Sequence, residues 1–591
     1  MRFLPRLRSL LGAASLCTLV PGSLLAADPA PATPSADAKF ETLAHGCIEQ
    51  FLTLNPESAT QLGDHRFDGR LNDRSKAGVA AGLLFAEKSL QELATISPAD
   101  LGTANRVDYA ILQNNLESSV LELKIVRGWE WNPLDYNIGN AIYLLLSRDY
   151  APLPERLRQV KSRLEAIPAT VAAAKANLQH PPKAHTETAI LQNSGTIQLV
   201  RGELNTFLEK APELKAELAP AQTAAAAALE DYGRWLKAEL LPRSDRDFRL
   251  GDAQFRARLQ YSLESDLSKE EVLRRAEADL HKTQREMFQT ASVLHKKMFP
   301  DRALPAGDAS ADVQKTVCKA VLDKLAETRP DNDTIVDLAS ADLKQCTDFV
   351  RAKRLVTVPD EPVRVVVMPE FQRGVAVAYC DAPGALGKNE ATFYAISPTP
   401  TDWTAERKTS FYREYNDFML QELTIHEAMP GHYLQLTLAN RFQAPTLVRG
   451  VWTSGIFAEG WACYAESFMA AAGYGGPEVK MQQLKMRLRL IINAILDQKI
   501  HTAGMTEPEA MALMINEGFQ EEGEAAGKWR RAQLTASQLS TYFVGTTEMD
   551  DLVRDYKTKH GGENTDILAM HDKMLSFGTV APRNLRTLLG L

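Results

Sequence analysis

The sequence predicts a mainly α-helical protein with one small β-sheet near residues 362–398. Three observations carry this. Apolar residues recur at three- and four-residue steps through "VAAGLLFAEKSLQELATI", "RLRQVKSRLEAI" and "TAAAAALEDYGRWLKAEL", the period of a helix with one buried face. A further helical run fills 268–298, and the helical pattern resumes from 404. The exception lies between these runs. "PVRVVVMP" (362–369) and "ATFYAISP" (391–398) are short and rich in β-branched or aromatic residues, and "VAVAYCDAPGALGKNEA" between them offers a third strand and a glycine-containing loop.

Taken in order, residues 1–26 have the layout of a secretory signal peptide. Arg2, Arg6 and Arg8 form a basic start, Leu10 to Val20 is an apolar run, Pro21-Gly22 breaks it, and small residues follow. Leu16 stands before Cys17, where a lipid-modified cysteine wants a small residue. Residues 27–38 are a Pro/Ala linker. Residues 39–245 form an N-terminal helical region, interrupted at "SPAD" (97–100) and "HPPKAH" (180–185), which have helix-start character. Residues 246–591 hold the sheet and the chemically suggestive residues, and the two regions are expected to form one continuous unit. No internal repeat is present.

Composition narrows the function. Of 591 residues, 45% are apolar and 24% charged, ordinary for a soluble globular protein. No run of eighteen apolar residues follows the N-terminus, so no membrane insertion is expected once the signal is removed. Removal takes three arginines and no acid, moving the formal charge from −8 to about −11. Such a charge disfavours nucleic acid as a partner. The expected location is periplasmic or secreted. The five remaining cysteines are no disulfide framework; Cys318 and Cys346 are the pair to test, with buried free thiols as the alternative. Nothing sets an oligomeric state.

The chemistry concentrates in "TIHEAMPGHYLQ" (424–435). His426 and Glu427 end the helical pattern "ERKTSFYREYNDFMLQELTIHEAM". On a regular helix His426 and His432 would point about 120° apart, so they could not share an ion. Pro430 lacks an N–H and clashes with the carbonyl of His426, and Gly431 adds backbone freedom. A bulge absorbing two residues would bring His432 back over His426. The spacing alone leaves two readings open: a deformed metal helix, or a helix end capped by Pro-Gly. A catalytic zinc wants three protein ligands. Glu459 and Glu466, on one face of "FAEGWACYAESFMAAAG" (457–473), are both candidates for the third.

"HEAMPGHYLQ" followed by "EGWACYAE" resembles the bacterial family named domain of unknown function 885, with the pattern His-Glu-Ala-x-Pro-Gly-His, then Glu-Gly-Trp-Ala-x-Tyr-x-Glu. "LDQKIHTAGMTEPEAMALM" resembles its Asp-x-x-x-His segment. "RRAQLTASQLSTYFVG" resembles its Arg-Tyr…Pro-Gly-Gln-Ala-Leu-x-Tyr-x-x-Gly segment, keeping Arg531, Gln538, Tyr542 and Gly545 but placing Ala532 for Tyr and Ala536-Ser537 for Pro-Gly. The likeness covers about 40–590, with its specificity in 420–545. It implies a zincin-like, gluzincin-type metallopeptidase fold related to angiotensin-converting-enzyme-like peptidases, mostly helical and with a deep cleft. It also implies Zn²⁺ on His426, His432 and Glu459.

That ligand set gives the other residues roles. Glu427 would take a proton from water. Tyr542 would donate its O–H to the developing oxyanion. His501, four residues after Asp497, would be oriented by it towards substrate, or the pair is structural. Arg531 would hold a substrate carboxylate. Glu466 would support a ligand, or replace Glu459 as one. Cys463, one turn after Glu459, is read as a small core residue. "FYAISP" would offer an edge to a peptide backbone, or be an internal strand. The expected activity is zinc-dependent hydrolysis of short peptides. The alternatives are a zinc hydrolase of another amide or ester, or a catalytically silent binding protein on the same scaffold.

Overall fold

The computed structural model describes residues 34–305, 309–368, 377–387 and 390–591. The signal-peptide segment 1–26 and most of the 27–38 linker lie outside the described residues; the first helix starts at Ala36. Ala36–Leu591 make one compact unit, mainly helical as the periodicity predicts. No described helix is long and apolar enough to cross a membrane.

The predicted sheet is present and has three strands: β1 (Val363–Val367), β2 (Ala378–Asp381) and β3 (Thr392–Ile396). Their order is β1-β3-β2, with β1 parallel and β2 antiparallel to β3. β3 is therefore the central strand, and its Tyr394, Ala395 and Ile396 are buried. "FYAISP" is thus an internal strand; the outer strands are β1 and β2.

Seven helices build the site: α1 (Ile335–Lys353), α2 (Asp417–Glu427), α3 (His432–Ala439), α4 (Gly455–Ala471), α5 (Gly476–Ala503), α6 (Glu522–Leu534) and α7 (Ser540–Lys559). α2 is packed among α1, α4 and α5, while α4 and α5 both lie against α7. The run read as one helix from 406 is in fact two. Ala405–Glu414 ends, and the Asn416 side chain accepts the N–H groups of Phe418 and Met419 to start α2. An Asn cap satisfies donors that a continuous helix would have paired internally.

Three apolar clusters form the core. Phe40, Leu52 and Leu112 join Leu420, Trp461 and Met574 in one. Phe255, Met287, Ile491 and Phe543 mark the second, and residues 136–240 supply the third. Of the two readings of Cys318 and Cys346, the buried free thiols hold: both are unpaired with each other and lie in different clusters. Cys346 lies 3.2 Å from the Tyr474 hydroxyl instead.

Candidate metal centre

α2 ends at Glu427 and α3 begins at His432, so the predicted distortion is a break between two helices rather than a bulge inside one. The Met429–Pro430 peptide is cis. Two hydrogen bonds span the break. Gly431 N–H donates to Ile425 O at 2.9 Å and Leu434 N–H to Ala428 O at 3.3 Å. Each reaches back six residues, where a helix reaches back four; the two surplus residues are taken up there. Gly431 passes so near α2 that a Cβ would lie 1.9 Å from His426 O. The buried Trp461 on α4 donates its indole N–H to Pro430 O at 2.9 Å. The Trp of one motif thereby fixes the turn of the other, a link that spacing within either motif does not reveal.

The break brings the two histidines together. Their rings meet edge-on, 4.7 Å between centroids. His426 Nε2 and His432 Nε2 each lie 3.5 Å from Glu459 Oε2, and the three ligand atoms fall within 4.8 Å of one another. Donors about 2.0–2.1 Å from one tetrahedral ion are about 3.4 Å apart. Glu459 Oε2 is buried and completes no hydrogen bond. Burial alone would raise this carboxyl, but His426 and His432 outweigh it and hold it below the usual carboxylate range. An orphaned carboxylate oxygen facing two imidazoles at ligand spacing fits a metal ion.

Glu466 stands on the other side of His426. It is buried and accepts a hydrogen bond from Nδ1 at 2.6 Å, which directs Nε2 towards Glu459. His426, Cys463 and Glu466 form an overlapping cluster. Burial pushes the Cys463 thiol up to about 12, so it stays protonated, and it belongs to an apolar cluster. Glu427 Oε2 accepts the Cys380 N–H of β2 at 3.1 Å; no sequence signal pointed to that contact.

Tyr542 comes from α7. Its hydroxyl lies 2.9 Å from Arg531 Nη2 and 3.3 Å from Gln538 Nε2. Burial and the charge of Glu459 both push the phenol up, which keeps it a donor. Arg531 also donates to Gln538 Oε1 at 2.9 Å. Among the described residues no carboxylate lies within ion-pair distance of Arg531.

The Asp497–His501 pair is not formed. Asp497 accepts from the Ser537 and Ser540 N–H groups, both at 3.0 Å, and from Ser540 Oγ at 2.7 Å. It caps the turn leading into α7. His501 is buried, bonded to Thr535 O at 2.9 Å and stacked on Phe255. His501 is thus packed in the core against Phe255, without Asp497 as its partner.

The fold and site define a large helical protein with a His–His–Glu candidate metal centre at a helix break. The chain belongs to the bacterial protein family of unknown function DUF885, whose model matches residues 56–589. It is similar to a "putative lipoprotein of unknown function" from Shewanella oneidensis, at 33% identity and TM-score 0.77 over 93% of this chain and 100% of that one. A "putative lipoprotein" from Colwellia psychrerythraea shares the fold at 16% identity and TM-score 0.74, over 94% and 99% of the chains. A Trypanosoma cruzi metallocarboxypeptidase aligns over 93% of this chain and 95% of that one at 11% identity, but its TM-score of 0.37 is below the level at which folds correspond. Curated proteins offer no match.

Proposed function

We propose that this protein is a zinc-dependent metallopeptidase of the cell envelope that hydrolyses short peptides. The observation that carries the reading is the convergence of His426, His432 and the orphaned Glu459 oxygen, with Glu427 following His426 in the chain. A zinc ion held there would polarise a carbonyl and make water acidic near neutral pH. Glu427, with one carboxylate oxygen held by the Cys380 N–H, would use the other to take a proton from the attacking water and pass it to the leaving amine. The Tyr542 O–H would donate to the carbonyl oxygen as it gains charge. Arg531, whose polar partners Gln538 and Tyr542 are neutral, would receive a substrate carboxylate. Glu466 would hold His426 in the tautomer that presents Nε2.

The signal-peptide-like start and the lipoprotein description of the Shewanella relative support an envelope location, periplasmic or secreted. The test is metal analysis of purified protein together with a panel of short peptides, amides and esters, each with and without chelator. Stoichiometric zinc and chelator-sensitive peptide cleavage are expected. Cleavage confined to non-peptide amides or esters would move the activity to that class. Zinc-free protein that cleaves nothing on adding zinc would overturn the reading.

A further inference from the structure

Glu427 is held from outside its own helix, and the holding group is itself held. β2 is one of the two outer strands of the sheet, so among the described residues the far side of Cys380 has no strand partner. Its N–H meets Glu427 Oε2 instead. An unpaired strand edge is free to shift unless something fixes it. The next residue, Asp381, is ion-paired with Arg148, and Arg148 Nη2 also donates to Ala382 O at 2.8 Å. Arg148 ends the helix Gly139–Ser147, far away in the sequence, and is buried. Its other arm reaches Glu390 at 3.2 Å, beyond the turn that follows β2.

The anchor continues into the N-terminal helices. His65 stacks flat on Tyr150 at 3.5 Å, takes Asp68 on Nδ1 at 2.9 Å and has Glu390 3.8 Å from Nε2. Arg148 thus ties the end of β2, Glu390 and the helix Gly139–Ser147 together. Its planar fork suits several oxygens at once.

We propose that Arg148 is a positioning residue: through Asp381 and the Ala382 carbonyl it fixes β2 so that the Cys380 N–H holds one oxygen of Glu427 and leaves the other free for water. The proposal rests on the metallopeptidase reading for its kinetic consequence, though not for the contact itself. Losing support one step removed from a catalytic group typically costs about 10–100-fold.

The experiment compares wild type with Arg148→Gln, Arg148→Lys and Asp381→Asn. It measures kcat and KM on a cleaved peptide, zinc per chain, and hydrogen–deuterium exchange across residues 377–382. Arg148→Gln and Asp381→Asn are expected to lower kcat by about 10–100-fold, with KM and zinc content near wild type and faster exchange at the Cys380 amide. Arg148→Lys should recover part of kcat. Asp381→Asn carries the test if Arg148→Gln does not fold. Wild-type kcat in either folded variant, or a fall that follows zinc loss in proportion, would overturn the proposal. If wild type cleaves no peptide, the functional reading fails separately. The exchange data then decide alone: unchanged protection at Cys380 overturns the strut, and faster exchange in both variants supports it.

Discussion

Gly460 of α4 and Gly545 of α7 meet backbone to backbone. A Cβ on Gly460 would lie 2.6 Å from the Gly545 carbonyl carbon, and one on Gly545 would lie 2.3 Å from Ile456 O. This crossing sets Glu459, beside Gly460, near Tyr542, one turn before Gly545. Gly545→Ala should push the helices apart, costing about 1–3 kcal/mol of stability as overpacking does and lowering kcat by moving Tyr542. Thermal unfolding and steady-state kinetics check this. A melting temperature and kcat equal to wild type would mean that the crossing is looser than drawn.

Glu427→Gln should keep the metal and lose nearly all hydrolysis. The amide leaves His426, His432 and Glu459 intact and can still accept the Cys380 N–H, but it cannot take a proton. Loss of a positioned base costs about 10²–10⁴-fold. Zinc content and single-turnover rates should be measured on one preparation. Near-normal turnover would remove Glu427 from its role.

Glu459 and Glu466 separate by metal loss. Glu459 faces both imidazole Nε2 atoms, whereas Glu466 reaches Nδ1 of His426 alone. Glu459→Ala should empty the site, and Glu466→Ala should weaken binding by about 10–100-fold. Competition with a calibrated chelator reads the affinities. The reverse order would make Glu466 the ligand.

A buried acid outside the proposed ligand set gives a pH test. Asp342 on α1 is almost wholly buried with both carboxyl oxygens unpartnered. Burial, with help from Asp417, raises it to about 7. The native state therefore binds this proton more tightly than the unfolded chain does. Its contribution to stability is full below about pH 4 and is lost as pH rises through about 7, up to about 4 kcal/mol in all. Asp342→Asn should melt higher than wild type at pH 8 and alike near pH 4. A difference that does not vary with pH would contradict this assignment.

What the sequence revealed and what it hid have physical reasons. The strands were legible because β-branched runs are local, and so were His426, His432 and Glu459, which sit in two dense motifs. Asp497 and His501 misled because four-residue spacing promises a shared helix face, yet the oxygens of Asp497 are claimed by Ser537 and Ser540 from the next segment. The single helix read from 406 failed at Asn416, whose capping side chain outweighs the periodicity around it. Arg148 carries no motif. Only the folded chain brings it to Asp381, 233 residues on.

Gly431 offers the sharpest test of the helix break. The centre needs His432 to return over His426 across a six-residue interval, which a regular helix forbids. The chain achieves this by passing close to the end of α2, where the Gly431 N–H bonds Ile425 O at 2.9 Å. A Cβ at residue 431 would stand 1.9 Å from His426 O and 2.4 Å from Ile425 O. Both obstacles are backbone atoms of the helix that carries a ligand, so relief requires moving either α2 or His432. Gly431→Ala should therefore cost about 3 kcal/mol or more and lower zinc occupancy together with activity. Pro430→Ala adds no atom at this point and should retain more zinc than Gly431→Ala. Thermal unfolding and zinc content of the two variants check this. A Gly431→Ala protein with wild-type stability and full zinc would show that His432 reaches the centre by another path.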